Sequence, residues 1–115
     1  MENLCITKAE TFVKGNPDKN GLMPVILIPL AGKIPAKFVL SGTVARNAGF
    51  QIGKTYLTQW VAGEVDEQYG RTYNYRCLSE IDPIQILELM QKLGPAEVLR
   101  EKEVEVTETK SDFDL

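Results

Sequence analysis

The chain has 115 residues, 43% of them hydrophobic and 25% charged, with a net charge of −3. That is the size and make-up of one globular domain with its own core, and it excludes an unfolded polar chain. There is no histidine, and the two cysteines, Cys5 and Cys77, lack CxxC spacing; the commonest general base is missing and the ligands are too few for a structural zinc site.

Residues 3–14 read as a strand, rich in β-branched and apolar side chains, that ends in the turn signal Gly15-Asn16-Pro17-Asp18-Lys19-Asn20-Gly21. Leu22 to Ala31 reads as a second, hydrophobic strand. Pro24 and Pro29 remove two ladder donors, which puts this strand at a sheet edge or bends it at a barrel corner. A turn at Ala31-Gly32-Lys33 and a third strand from Ala36 to Val44 follow. The link 45–53 has room for about one helical turn. Lys54 to Glu64 and Arg71 to Ile81 have high β propensity, and the short acidic connection between them predicts a hairpin.

The next segment predicts a helix over 83–93. Asp82 is placed to accept from the first-turn amides, and Pro83 suits the first helical position. Ile84, Leu87, Met90 and Leu93 fall at helical spacing, with Ile86 and Leu89 widening the stripe. Gly94-Pro95 stops it. The fold class is therefore mostly β: a small five-stranded barrel or sheet with one C-terminal helix. Residues 1–100 form a single domain, and 101–115 an acidic tail expected to lack order.

Charge divides along the same boundary. Residues 101–115 carry six acids and two lysines, so residues 1–100 hold eleven basic and ten acidic side chains, a net +1. The body is near neutral and has room for a basic face. The longest apolar run, Leu22 to Ala31, is half a membrane span and holds two prolines. The first residues show no basic-then-apolar signal pattern, so a reducing cytoplasm is the expected setting, with both cysteines as small buried side chains.

Several motifs invite a catalytic reading and fail it. Three residues separate Gly49 from Gly53, not the four of a phosphate-binding loop, and Lys54-Thr55 opens a strand rather than a helix. Ser41-Gly42-Thr43 has no histidine partner and no nucleophile elbow. Glu64, Asp66 and Glu67 lack calcium-loop spacing and read as a solvated hairpin tip. The tyrosines near Arg71 and Arg76 belong to no motif that would make them catalytic. No enzyme chemistry and no cofactor is implied.

The remaining pattern is aromatic and basic residues interleaved on the hairpin. Tyr56 and Trp60 share one face of the fourth strand, and Arg71, Tyr73 and Tyr75 one face of the fifth. If Leu57 and Val61 face the core, Tyr56 and Trp60 are displayed; if Tyr73, Tyr75 and Cys77 line the core, Arg76 and Asn74 are. The functional expectation is single-stranded nucleic acid, most readily DNA: Tyr56, Trp60, Tyr73 and Tyr75 stack on bases, while Lys33, Lys37, Lys54, Arg71 and Arg76 contact phosphates. For any one aromatic, packing in a β core is the plainer expectation.

This architecture, with an acidic tail that carries Phe113 near its end, resembles the OB-fold single-stranded DNA-binding proteins of bacteria and phages. The resemblance implies a small barrel that binds DNA. It also implies a tail, here Asp112, Phe113 and Asp114, that recruits a protein partner and competes with DNA for the groove. That family carries its helix between strands three and four, where this sequence offers only the link 45–53. A second class of function is a non-enzymatic assembly subunit. In it, Leu22–Ala31 or the helix 83–93 supplies a homo-oligomer interface.

Overall fold

The computed structural model describes residues 3–68 and 70–100. The elements are β1 (Leu4–Thr11), β2 (Val25–Pro35), β3 (Val39–Leu40), α1 (Gly42–Asn47), β4 (Thr55–Asp66), β5 (Gly70–Glu80), α2 (Pro83–Leu93) and β6 (Glu97–Leu99). The expected tail and its candidate partner residues Asp112, Phe113 and Asp114 lie outside the described residues.

The sheet runs in the order β3-β2-β1-β4-β5, antiparallel throughout, and curls into a half-barrel. β6 adds to the far half of β2 in parallel, matching Lys33 with Glu97 and Pro35 with Leu99. This order, with α1 between β3 and β4, is compatible with an OB-like architecture. No pairing joins β3 to β5, so the half-barrel has an open seam among the described residues.

β2 is an interior strand, flanked by β3 and β1. Pro24 stands just before the strand. The Leu27 amide donates to the Phe38 carbonyl on the β3 side, and Pro29, two residues on, turns its missing donor the same way, beyond the last β3 pair, so no ladder bond is lost. The register with β1 slips between Ile6 and Thr7, leaving Leu30 unmatched beside Pro29, and this bulge bends the strand. The expected turn at Ala31-Gly32-Lys33 is instead a continuation of the strand. Gly32 takes φ +79°, and a Cβ on it would sit 2.6 Å from the Leu4 carbonyl oxygen, so only glycine lets the two chains approach there.

The third strand is far shorter than the sequence predicts, because its expected second half coils into α1. Gly-Thr-Val-Ala-Arg-Asn is a poor helix former. It folds because Ser41 Oγ accepts from the Val44 amide, and because Asp18, from the β1–β2 loop, accepts from the Thr43 amide and hydroxyl at 2.9 and 2.7 Å. Asp18 also accepts from the Asn20 and Leu22 amides at 2.9 and 3.0 Å, which ties the loop to the helix.

Two cores lie on opposite faces of the sheet. The inner one gathers Cys5, Ala9, Val25, Leu27, Ile34, Leu40, Phe50, Tyr56, Trp60, Tyr75 and Leu99. The outer one forms where α2 crosses the convex face, and packs Ile86, Leu89, Met90 and Leu93 against Ile6, Ala31, Leu57 and Ile81. Asp82 accepts from the Ile84 amide at 3.1 Å, and Pro83 takes the first helical turn. Both cysteines are free thiols, and burial pushes Cys5 up to about 12 and Cys77 up to about 11. Both pair in register with Thr58 from opposite sides. Two strand spacings, roughly 9–10 Å, therefore separate them, beyond disulfide reach. No helix among the described residues is long and apolar enough to cross a membrane.

Candidate nucleic-acid interface

The site is built where the open seam meets the β2–β3 link, residues 36–38. β2 brings Lys33 to this end with its side chain exposed, and its carbonyl accepts from Trp60 Nε1 at 2.8 Å. Lys37, in the link, donates from Nζ to the Arg71 carbonyl at 2.7 Å, and its own carbonyl accepts from the Tyr75 hydroxyl at 2.6 Å. Phe38 is half-buried against the inner core.

From the other side, β5 contributes Arg71, Tyr73 and Tyr75 on its inner face. The hairpin is bent by a register slip between Ala62 and Val65. Gly63 stands in that bulge, where a Cβ would meet Thr72 Oγ1 at 2.6 Å. Arg71 Nη1 donates to the Gly63 carbonyl at 2.6 Å and Thr72 Oγ1 to the Glu64 carbonyl at 3.0 Å, so the bulged carbonyls are satisfied. Tyr73 is half-buried and meets Trp60 edge-on, with centroids 5.9 Å apart and planes at 77°.

Six of the nine residues singled out from the sequence thus lie at one end of the half-barrel: Lys33, Lys37, Trp60, Arg71, Tyr73 and Tyr75. The other three are elsewhere. Tyr56 sits deeper in the core, where its hydroxyl accepts from the Gln51 amide at 2.9 Å and its ring meets Phe50 edge-on at 5.4 Å. Lys54 is at the opposite end of β4, ion-paired with Glu80 at 3.3 Å. Arg76 pairs in register with Gln59 and points away from the inner face.

Of the four aromatics, three offer no open ring face in this structure. Tyr56, Trp60 and Tyr75 are 4%, 2% and 7% exposed. Burial pushes the Tyr75 phenol far above its ordinary range, so it stays a hydrogen-bond donor. Both aromatic sets face inward because β4 is covered on both sides: Trp60 and Tyr75 pair directly inside, and α2 takes Leu57 outside. The two arrangements the alternation allows thus merge, with the aromatics of both strands inside and Arg76 and Asn74 outside.

The sequence reading missed Phe38. An aromatic next to a lysine, three residues after Pro35, was the available signal, and it was absorbed into an expected strand that does not form there. No family model, no curated protein and no solved structure matches this chain.

Proposed function

We propose that this protein is a single-stranded nucleic-acid-binding module, and that the strand lies along the seam between the β2–β3 link and β5. One observation carries the reading: Lys37 bonds to Arg71 beside half-buried Tyr73 and Phe38 at the unpaired edge of an OB-like half-barrel, while Lys33 reaches this end by its backbone carbonyl, its side chain leaving β2 opposite inward Ile34. Arginine and lysine neutralise backbone phosphates, and an aromatic face accepts any base. In this reading Tyr73 and Phe38 are the stacking platforms of the closed protein, with Trp60 packed behind Tyr73. DNA is the proposed polymer. The acidic segment that carries Asp112, Phe113 and Asp114 is proposed to recruit a protein partner.

The test is fluorescence anisotropy of a labelled single-stranded oligonucleotide titrated with the full chain at low and moderate salt, with duplex of the same sequence alongside. Saturable binding that prefers the single strand and weakens with salt is expected. No binding at low salt would sink the reading.

A second reading, a homo-oligomeric assembly subunit, draws on α2. Ile84 and Leu87 are 87% and 67% exposed, on the helix face turned away from the sheet. Sedimentation analysis separates the two: a stable oligomer indifferent to oligonucleotide favours assembly.

A further inference from the structure

The seam of the half-barrel is held by side chains instead of a strand ladder. Among the described residues, hydrogen bonds from one residue of the β2–β3 link reach β5 in two places. The Tyr75 hydroxyl donates to the Lys37 carbonyl at 2.6 Å, and Lys37 Nζ donates to the Arg71 carbonyl at 2.7 Å. The anchors Arg71 and Tyr75 lie four positions apart on one face of β5, with Tyr73 between them. Directly across from Tyr75 in register is Trp60.

We propose that these two bonds are a latch that closes the seam over Trp60 and Tyr75, and that a nucleic-acid phosphate opens it by drawing the Lys37 ammonium away from Arg71. This rests on the binding function proposed above and adds its regulation. The two bonds differ in kind. The bond the ammonium makes to the Arg71 carbonyl is exposed, and a phosphate, which carries the full negative charge that a carbonyl lacks, competes with that carbonyl for it. The one made by Tyr75 is part-buried and yields only when the link moves. Opening turns the inner rings of Trp60, Tyr73 and Tyr75 toward the ligand, so rings packed in the closed protein become stacking surfaces in the open one. Closure lowers the apparent affinity by the fraction of molecules that stand open.

Two variants of the full chain test the latch, each read in two ways. Trp60 is the sole tryptophan, so acrylamide quenching of tryptophan fluorescence reports seam opening without any ligand. Tyr75→Phe keeps the ring and removes one latch bond. It raises the quenching constant and tightens binding of a single-stranded oligonucleotide by about fivefold, the population change that one net hydrogen bond permits. Lys37→Met also raises quenching but weakens binding, because it removes a phosphate contact together with the latch. A thermal melt confirms that both variants are folded. Unchanged quenching in folded Tyr75→Phe overturns the latch, and raised quenching with unchanged or weaker binding overturns its role in gating. If neither the parent chain nor Tyr75→Phe binds oligonucleotide, the binding function itself fails; the quenching result distinguishes that failure from a failure of the latch.

Discussion

Thr7 and Thr58 are both fully buried and share one hydrogen bond, 2.9 Å between hydroxyl oxygens, inside an otherwise apolar sheet interior. A buried hydroxyl needs a hydrogen-bond partner, and Thr58 Oγ1 also donates to the Tyr56 carbonyl at 3.4 Å. Thr58→Val removes the partner of the Thr7 hydroxyl and costs about 1–3 kcal/mol, whereas Thr7→Val with Thr58→Val removes both groups and returns most of that stability. Urea unfolding of the two single variants and the double variant closes the cycle. Asp18 poses a charged version of the problem. The Thr43 hydroxyl, then the Thr43, Leu22 and Asn20 amides, stabilise its ionised form and hold its carboxyl at about 2. The unfolded chain protonates this group near pH 4 and the folded one only near pH 2, so the unfolded state binds the extra proton in between. The Asp18 contribution is complete above pH 4 and is lost as pH falls from about 4 to about 2. Acid unfolding of Asp18→Asn should therefore be flatter across that window than that of the parent chain; matching profiles would show that the loop-to-helix contact adds no stability.

At the scale of elements, the helix α2 turns one stripe to the sheet and leaves another outside. Ile6 is fully buried beneath it, while Ile84 and Leu87 stand in solvent. Ile6→Ala opens a cavity between helix and sheet and costs about 2–5 kcal/mol. Replacing Ile84 and Leu87 by serine changes the stability of a monomer by less than about 0.5 kcal/mol. Denaturant titrations at two protein concentrations check both statements. A large, concentration-dependent loss for the Ile84/Leu87 variant would mark that face as an interface and favour the assembly reading. The hairpin shows how a local irregularity serves the site. Gly63 permits the bulge, and Arg71 and Thr72 satisfy the freed carbonyls, which leaves Arg71 at the lip of the seam.

Across the whole molecule, the proposed ligand path runs along one end of the half-barrel and engages the cations Lys37 and Arg71. Two phosphate contacts on a single strand predict that log affinity falls against log salt with a slope of about −1.4. Lys37→Met should reduce that slope by about 0.7 and weaken binding evenly across sequences. Lys54→Met, at the far end beside Glu80, should leave both unchanged. A slope near zero for the parent chain would mean that phosphates are not the anchors.

How much of this was legible in the sequence follows the range of the interactions. The β4–β5 hairpin and the Asp82-Pro83 start of α2 were readable because they rest on contacts within a few residues: a turn, a cap and an alternation. The mostly β class was readable for the same reason. The shortness of β3 and the formation of α1 were not. A weak six-residue helix forms because Asp18, twenty-five positions before Thr43, bonds its first turn. The inward face of β4 was equally hidden, since α2 covers its other side and alternation then has no polar face to mark. The meeting of Lys37 and Arg71 depends on Tyr75 reaching Lys37 thirty-eight positions away and on Lys37 spanning to the Arg71 carbonyl. Local backbone chemistry determined the elements from the sequence alone. Which aromatics are buried, where the sheet opens and which cations share an edge were decided by closure of the tertiary structure, because the same strands in another register would serve those local preferences equally well.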